Sequence, residues 1–252
     1  MLPLSAILVV RNESKNIRRC LESLRWVDEI VVVDSGSTDD TVEICRSFPC
    51  RVIEHEWLGF GATKRLAASL ATHDWILSID ADEVVSPELR DRIRAILSAP
   101  PRSQGYRVRF RSFYLGREIR HCGWDNEHHL RLFNRESGNY TDRPVHESVV
   151  LEGAVEQLEE AILHYTHPTV ATQVEKLQRY TDLAARQLYE EGRRASPLGA
   201  IVSGLSKFIK MYFIDHGFLD GKEGLVLSTI SAFSVYCKYI KLWEMGRCKR
   251  SS

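Results

Sequence analysis

The sequence lacks the signatures of several well-marked protein classes. Lys and Arg together number 34, and so do Asp and Glu, so the chain has no basic excess of the kind most nucleic-acid-binding domains carry. Neither GxGxxG nor GxxxxGK[ST] occurs, which argues against a dinucleotide-binding dehydrogenase and against a P-loop enzyme. There is no internal repeat and no low-complexity segment. A hydrophobic fraction of 44% is enough for a substantial core.

The arrangement of the cysteines argues against a structural zinc site and against a disulfide framework. The six cysteines include no CxxC pair and no paired histidine spacing, so a structural zinc site is not expected. A disulfide framework is not expected in a chain of 252 residues either. Cys20 and Cys45 fall on apolar positions of predicted helices, where a reduced thiol behaves as a small hydrophobic side chain. The first residues, MLPLSAILVVRNE, have no basic segment before the apolar run, which predicts a first strand, not a signal peptide, and a cytoplasmic location.

Strand and helix patterns alternate through the first hundred residues. Short apolar or β-branched runs predict strands at residues 4–10, 29–34, 51–56 and 75–80. Helices are predicted from Ile17 onwards, at residues 61–71, and after two N-cap signals, Ser37-Thr38 and Ser86-Pro87. Repeated strand–helix units with short connections predict an α/β fold in which helices flank a mostly parallel, doubly wound sheet.

The pattern changes after Pro100-Pro101. Residues 106–111 alternate between apolar residues and arginine, which is typical of a half-buried strand, and residues 130–133 suggest another strand. An amphipathic helix is predicted over residues 170–189, and the tail from 197 to 245 is again apolar. We therefore expect a sheet domain over residues 1–165 and a C-terminal helical region over residues 166–252.

Three carboxylates, Asp80, Asp82 and Glu83, follow the apolar strand WILSI. Ligands of open parallel sheets bind beyond the carboxyl ends of the strands, so these acids lie where a ligand is expected. Because side chains alternate along an extended segment, Asp80 and Asp82 share a face while Ala81 points away. Neighbouring carboxylates repel each other unless a cation lies between them, and Mg²⁺ or Mn²⁺ suits such oxygen ligands. The alternative is an acidic surface turn before the helix at Ser86, and for Glu83 neither interpretation is favoured.

Four segments, VVRNE, VVVDSGSTDDT, GFGATKRLAA and SIDADE, follow one another in the first half of the chain. Together with GWDNEHHLRLFNR and RPVHE, they resemble the inverting glycosyltransferase family 2, whose members have the GT-A fold. The tail SKFIKMYFIDHGFLDGKEGL extends the similarity to bacterial lipopolysaccharide inner-core glycosyltransferases of the β-1,4-glucosyltransferase type. The resemblance implies transfer of a hexose, above all glucose, from a UDP-sugar to a heptose of the lipopolysaccharide inner core, with Mn²⁺ or Mg²⁺ as cofactor.

The resemblance also implies roles for individual residues. The residues expected to contact the nucleotide sugar are Val10, Arg11, Asn12, Glu13, Asp34, Lys64, Asp80, Ala81, Asp82 and His146. Among them, Asp34 would hydrogen-bond the uracil ring and Lys64 would face the nucleotide or its phosphates. Asp82 would ligate the metal that bridges the diphosphate. Asp80 would approach the ribose or a metal-bound water, and it is the second candidate metal ligand.

An inverting transfer needs a carboxylate that accepts the proton of the acceptor hydroxyl. In GWDNEHHLRLFNR, Glu127 lies four residues before the arginine of RLF, where the resemblance implies an acid, more often Asp. Asp125, two residues earlier, is the alternative. Glu147 of RPVHE is a third candidate that would contact the acceptor. An ordinary loop acid is the simpler interpretation of each.

The apolar tail suggests a membrane contact. One stripe of residues 204–214 is apolar and has lysines outside it, which is typical of a helix lying on an anionic bilayer; the stripe consists of Leu205, Phe208, Ile209, Tyr212 and Phe213. The uncharged stretch 224–237 is too short to span a membrane. Packing of both segments inside the protein is the alternative. The resemblance favours peripheral attachment at the cytoplasmic face of the inner membrane, with a lipid-linked oligosaccharide as acceptor.

Three other functions fit parts of the pattern. The first is transfer to another lipid-linked or polysaccharide acceptor. A nucleotidyltransferase also places carboxylates and a metal at strand ends, but it would release pyrophosphate instead of UDP. A non-catalytic sensor would bind UDP-sugar without turnover. The balanced charge predicts no nucleic-acid partner.

Overall fold

The structure is a computed structural model that describes residues 1–125, 127–141 and 149–248. The chain forms two compact units, residues 1–110 with 127–164 and residues 111–126 with 165–252. The strands are β1 (Leu4–Val10), β2 (Glu29–Asp34), β3 (Arg51–Glu54), β4 (Trp75–Ser78), β5 (Glu83–Val85), β6 (Gly105–Tyr114), β7 (Arg117–Glu118), β8 (His128–Asn134), β9 (Gly138–Tyr140), β10 (Val149–Leu151) and β11 (Val155–His167). The helices are α1 (Ile17–Ser23), α2 (Thr41–Arg46), α3 (Phe60–Leu70), α4 (Pro87–Leu97), α5 (Val170–Glu190), α6 (Pro197–Ile209) and α7 (Gly221–Cys248). A π-helical turn (Lys210–Ile214) and a 3-10 turn (Gly217–Asp220) lie between α6 and α7.

The first part of the sheet is parallel, as predicted. β1 pairs with β2 on one side and with β4 on the other, and β2 pairs with β3. Side chains of β1 alternate between two cores: Ala6 and Leu8 pack with residues of α1 and α4, whereas Ile7 packs with residues of α3. Both faces of these strands are therefore covered, which explains near-continuous apolar runs such as EIVVVD. Parallel pairing brings the carboxyl ends of β1, β2 and β4 to one edge.

The second part of the sheet is antiparallel. β8 pairs antiparallel with both β4 and β6, and β11 pairs antiparallel with the short strand β5. Among the described residues the strand order is β3-β2-β1-β4-β8-β6-β11-β5, with β7 joined to β6, while β9 and β10 form a separate pair. The predicted strands at residues 106–111 and 130–133 are confirmed as parts of β6 and β8, both of which are longer than predicted.

The helix starts test the predicted N-caps. α4 begins as predicted, because the Ser86 side chain accepts a hydrogen bond from the first turn. The prediction of Ser37 and Thr38 as caps is wrong, since α2 begins only at Thr41. The Ser37 hydroxyl donates instead to the Asp34 carboxylate at the end of β2. Its oxygen accepts the N–H of Asn12 at 2.9 Å, so the hydroxyl serves the loops after β1 and β2 instead of the N-terminus of α2.

Every cysteine whose side chain the structure describes is a free thiol. Cys20 on α1 and Cys45 on α2 are fully buried. Burial raises the pKa of the Cys20 thiol well above its usual value, so this side chain is a neutral part of the core.

The second unit is built around α5, α6 and α7, of which α7 packs against both others. Its small core contains Tyr114, Ile119, Cys122, Met211 and Leu227. Asp220, only 3% exposed, ties the 3-10 turn to the segment after β7 by accepting the backbone N–H groups of Arg120 at 3.1 Å and His121 at 2.9 Å. A Cβ on Gly224 would lie 2.0 Å from the carbonyl oxygen of Gly217, so only glycine allows this turn to pack on the start of α7.

α7 extends well beyond the uncharged stretch 224–237. By length and composition, Gly217–Arg247 is long and apolar enough to cross a membrane, and only 17% of its most apolar window is buried. The prediction that this region is too short to span a membrane considers only the uncharged residues 224–237. The same length and composition also occur in core helices of soluble proteins.

Candidate active site

The three acids form a tight turn at the carboxyl end of β4, the last parallel strand. β4 ends at Ser78, earlier than the predicted Asp80. The chain then reverses between Asp80 and Glu83, where the N–H of Glu83 donates to the carbonyl oxygen of Asp80 at 3.0 Å. β5 starts at Glu83, and its pairing with β11 places His164 opposite Glu83. We call residues 80–83 the acid turn.

Asp80 is held between two basic side chains. Lys64 of α3 places Nζ 3.0 Å from Oδ1, and Arg131 of β8 places Nη2 2.9 Å from Oδ2. Both basic residues are buried, at 8% and 9% exposure. Burial alone would raise the pKa of Asp80, but Lys64 and Arg131 lower it far below its usual range. Asp80 is therefore ionised, and each of its oxygens is engaged by a cation.

Arg131 also pairs with a second acid, Glu83. The Glu83 side chain is 1% exposed, with one oxygen in contact with Arg131 and the other accepting the N–H of Asp80 at 2.9 Å. Burial raises the pKa of Glu83 to about 7, against the lowering effect of Arg131. The buried cluster thus contains two basic and two acidic side chains.

Asp82 has a different neighbour. Its Oδ2 lies 3.6 Å from Nε2 of His164 on β11, and its side chain is 14% exposed. Burial alone would lower the pKa of His164, but the Asp82 carboxylate raises it. Phe110 of β6 packs beside them, with its ring centre 5.5 Å from that of His164 and 4.6 Å from that of His129. The Arg131 guanidinium lies 5.2 Å from the same ring centre, so Phe110 forms an apolar centre between the charged groups.

The candidates for the general base fall in different units. Glu127 belongs to the first unit, has a side chain that is 41% exposed, and places Oε2 3.9 Å from Nε2 of His129. The His129 ring packs on Phe110, as the His164 ring does. Glu127 is therefore connected to the acid turn through successive contacts of His129, Phe110 and His164. Asp125 is exposed and belongs to the second unit. His146 and Glu147 lie outside the described residues, so their roles stay predictions.

Polar groups tie the loop after β1 to the loop after β2. Asn12, with a left-handed φ of 57°, donates its N–H to Ser37 Oγ at 2.9 Å and accepts the N–H of Thr38 at 2.8 Å. Asp34 is 2% exposed and accepts the N–H groups of Gly36 at 3.0 Å and Ser37 at 2.9 Å. The Asp34 carboxylate therefore shapes the loop at the end of β2.

A cavity of about 490 Å³ opens beside Asp34. Its other walls come from the loop after β2, from α2 and from the end of β3: Ser35, Gly36, Ser37, Val42, Glu54, His55 and Glu56. The volume is in the usual range for small-molecule sites. The cavity and the acid turn follow strands of the same parallel set.

The remaining residues predicted to contact the nucleotide sugar differ in how exposed their side chains are. Val10 is 2% exposed and Ala81 is 5% exposed, and both side chains belong to the hydrophobic core, so a ligand could meet only their backbone. Arg11 is exposed and Glu13 is half-buried. The N–H of Glu13 donates to Thr41 Oγ1 at 2.8 Å, which links this loop to the start of α2.

Two members of the site, Arg131 and His164, are not predicted as site residues. Arg131 belongs to the segment GWDNEHHLRLFNR, and its position inside the apolar strand LRLF is a further signal, since a buried arginine requires an acidic partner. His164 has no comparable signal. It reaches Asp82 only because β11 pairs with β5.

Sequence comparison relates the chain to glycosyltransferases. The family model described as glycosyl transferase family 2 matches residues 5–158. An uncharacterized glycosyltransferase of Rickettsia typhi is 30% identical over 263 residues, covering 100% of this chain and 90% of its own length. LpsC of Rhizobium meliloti, a lipopolysaccharide core biosynthesis glycosyltransferase, is 31% identical over 252 residues, covering 94% of this chain and 93% of its own. The solved structure of S. aureus TarS 1-349 with UDP-GlcNAc is 26% identical over 46% of this chain and 36% of its own, with a TM-score of 0.40, which is too low to support an inference about this chain.

Proposed function

The chain belongs to glycosyl transferase family 2, and we propose that it transfers a hexose from a UDP-sugar to the lipopolysaccharide core. As a family member it is a glycosyltransferase with the GT-A fold. The finer parts of the proposal are that the hexose is glucose, that the acceptor is an inner-core heptose, that the transfer inverts the anomeric centre, and that a divalent metal is required. The acid turn is the observation that carries the proposal.

The donor is proposed to lie along the carboxyl ends of β1, β2 and β4. The cavity beside Asp34 has the size and polar lining for the uracil and ribose, with Arg11 and Asn12 on the adjoining loop. Lys64 and its partner Asp80 would then face the phosphates and the ribose. This arrangement follows the general rule that ligands of parallel sheets bind beyond the strand ends.

The acid turn suits a divalent ion that is shared with the substrate. Across residues 1–125, 127–141 and 149–248, no three His, Cys, Asp or Glu side chains converge as a complete metal cage. Mg²⁺ and Mn²⁺ commonly use one or two protein ligands and complete their shell with phosphate oxygens and water. Asp82 lies in the acid turn with the His164 imidazole 3.6 Å away, and the two oxygens of Asp80 are already paired with the cations Lys64 and Arg131. We therefore narrow the metal proposal to Asp82, where the ion would offset the charge that develops on the departing UDP.

Glu127 is the proposed general base. Its exposed carboxylate lies in the unit that contains the acid turn, and it would accept the proton of the acceptor hydroxyl as the new glycosidic bond forms. Asp125 and Glu147 are the alternatives. Inversion requires the acceptor to attack from the face opposite the leaving UDP, so the base lies on the acceptor side.

Similarity along nearly the whole chain supports a lipopolysaccharide acceptor. The match to LpsC, named for lipopolysaccharide core biosynthesis, covers 94% of this chain and 93% of LpsC, so it includes the C-terminal helices as well as the sheet. Another lipid-linked or polysaccharide acceptor is the second candidate. The rate of transfer to each kind of acceptor distinguishes these two candidates.

A donor screen tests the proposal. Purified full-length protein is mixed with Mn²⁺, a panel of UDP-sugars and truncated lipopolysaccharide that ends in inner-core heptose, and UDP release is measured together with the product mass. We expect acceptor-dependent UDP release that is highest with UDP-glucose and is lost on adding a chelator. Asp82→Ala should abolish metal-dependent UDP binding, whereas Asp74→Ala, which removes an exposed acid at the opposite end of β4, should not.

The same assay separates the rival functions. Release of pyrophosphate instead of UDP would show a nucleotidyltransferase. Binding of UDP-sugar and metal without turnover, even with acceptor present, would show a sensor. UDP binding by Asp82→Ala that is equally tight with and without Mn²⁺ would contradict the metal assignment.

An exposed apolar face on α6 supports peripheral membrane attachment. Leu198, Ile201, Val202, Leu205 and Ile209 share one stripe of the helix and are between 43% and 71% exposed. The opposite face of α6 packs through its buried small residues, and a Cβ on one of them, Gly204, would lie 3.1 Å from the carbonyl oxygen of Ala232 in α7. The apolar stripe is therefore not the face that α6 uses for packing.

The charge around this stripe suits anionic lipid. The sequence from Pro197 to Ile214 contains no acidic residue and has two lysines, Lys207 and Lys210, of which Lys210 pairs with Asp215 at 2.6 Å. An interfacial helix of this kind buries its apolar face among the acyl chains, while basic side chains meet the headgroups. We propose that α6 holds the enzyme at the cytoplasmic face of the inner membrane, near a lipid-linked acceptor.

Vesicle binding tests this attachment. Leu205→Ser/Ile209→Ser should weaken binding to phosphatidylcholine vesicles containing phosphatidylglycerol by at least about tenfold, because each exposed aliphatic side chain contributes about 1.5–3 kcal/mol when it is fully buried. The control Val150→Ser/Val155→Ser also removes two exposed aliphatic side chains, but from the first unit. Equal vesicle binding by the two double variants would exclude α6 as the attachment surface.

A further inference from the structure

Glu83 is a buried carboxylate where an apolar side chain would be expected. It is 1% exposed at the start of β5 and lies close to the buried Val85. Replacing a whole buried ion pair by apolar residues of similar volume is often neutral or stabilising. Because both Glu83 oxygens are engaged by groups of the protein itself, this residue is not placed as a metal ligand.

The acid turn is closed twice by the same two residues. The N–H of Glu83 donates to the carbonyl oxygen of Asp80 at 3.0 Å, and the N–H of Asp80 donates to Glu83 Oε2 at 2.9 Å. Only Ala81 and Asp82 lie between them, so the backbone that carries the Asp82 carboxylate has little conformational freedom. The other Glu83 oxygen contacts Arg131, which also holds Asp80 at 2.9 Å. The direction of Asp82 therefore depends on Glu83.

We propose that Glu83 is a positioning residue for glycosyl transfer, which closes the acid turn so that Asp82 is presented to the donor diphosphate. Glu83 does not touch the substrate and acts through the Asp80 N–H and the Arg131 guanidinium. The inference rests on the proposed function for the identity of the donor and the metal. The geometry of the turn is independent of both.

The variant Glu83→Gln isolates this role. A glutamine has nearly the same shape but only one oxygen, so it cannot accept from the Asp80 N–H and from Arg131 at the same time. The matched control is Glu88→Gln, which removes an exposed acid from the first turn of α4. We expect Glu83→Gln to lower kcat for UDP release by about 10–100-fold and to raise the half-saturating Mn²⁺ concentration by about tenfold, the usual effect of removing a group that orients a metal-binding residue. Glu88→Gln should change neither value.

A second variant separates positioning from stability. Glu83→Met fills the same space with an apolar side chain and leaves Arg131 paired with Asp80, so it should stay folded with a lower free energy of unfolding, because removing one partner of a buried pair is destabilising. Positioning predicts the same kinetic defect in this variant under conditions where circular dichroism shows that it is folded. A folded Glu83→Met with unchanged kcat and unchanged half-saturating Mn²⁺ would show a structural role only and would overturn the proposal.

Crystal structures provide a test that does not depend on the reaction. In Glu83→Gln the Asp82 carboxylate should move by about 1 Å or more relative to Lys64, a displacement large enough to affect catalysis. If the unsubstituted protein releases UDP from no UDP-sugar, the proposed donor is wrong, but a displaced turn still supports the positioning role. An unmoved turn overturns the positioning role whatever the donor is.

Discussion

Replacing Lys64 by methionine should destabilise the protein by about 2–3 kcal/mol. The methionine keeps most of the apolar stem but removes the ammonium group that lies 3.0 Å from Asp80. At an effective dielectric constant of about 20, two charges at this distance attract by about 5 kcal/mol, and removing one partner of a buried pair typically costs about 3–5 kcal/mol. We expect less than that range because Asp80 keeps Arg131 at 2.9 Å and its side chain is 34% exposed.

Urea unfolding followed by circular dichroism measures this cost. The control is Arg90→Met, which breaks an ion pair of similar length, 2.8 Å to Asp91, on the exposed surface, where solvent screening makes such pairs contribute little. A double-mutant cycle of Lys64→Met with Asp80→Asn isolates the pair itself. The reasoning is refuted if Lys64→Met costs no more than Arg90→Met, or if the coupling energy is below about 0.5 kcal/mol.

Three further predictions concern the base, the core and pH. Glu127→Gln should leave UDP binding intact and remove transfer, measured by UDP release, and full activity would move the base to Asp125 or Glu147. Leu77→Ala, at a fully buried position in the central sheet, should lower the free energy of unfolding by about 2–5 kcal/mol in urea titrations, and a loss below about 1 kcal/mol would contradict close packing there. For Glu29, burial would raise the pKa, but three hydrogen bonds to its carboxylate lower it, so its contribution to stability is full above the unfolded pKa of about 4.3 and is lost as pH falls through the folded pKa. The stability difference between the unsubstituted protein and Glu29→Gln should therefore shrink in acid, and a difference that is constant from neutral pH to about pH 3 would contradict this.

The parallel part of the fold could be predicted because its information is local. Each of the first four strands is a short apolar run followed by helical spacing, and right-handed crossover connections leave few ways to arrange such units. For the antiparallel part the pattern predicts only two separate strands, at residues 106–111 and 130–133, and it does not predict β11. The partners of β8 and β11 are far apart in sequence, and a period-2 pattern identifies a strand without identifying its neighbour.

Hydrogen bonds within the loops explain the wrong helix start. The Ser37 hydroxyl donates to the Asp34 carboxylate and its oxygen accepts the N–H of Asn12 at 2.9 Å, so the side chain serves these loops instead of the helix N-terminus. A pattern of capping residues does not show which of two nearby groups will use the hydroxyl. The Ser86 cap was predictable because Pro87 at the first helical position and Glu88 in the first turn reinforce the capping residue.

The order of amino acids by itself determined the acids at the end of the fourth strand, the family motifs and the apolar tail, because each is contained in a few consecutive residues. Only the tertiary structure decided that Asp80 is neutralised by Lys64 and Arg131, that His164 approaches Asp82, and that one face of α6 stays exposed. The physical reason is that charge compensation and burial depend on distances between residues far apart in the chain, and these distances exist only once the strands have paired.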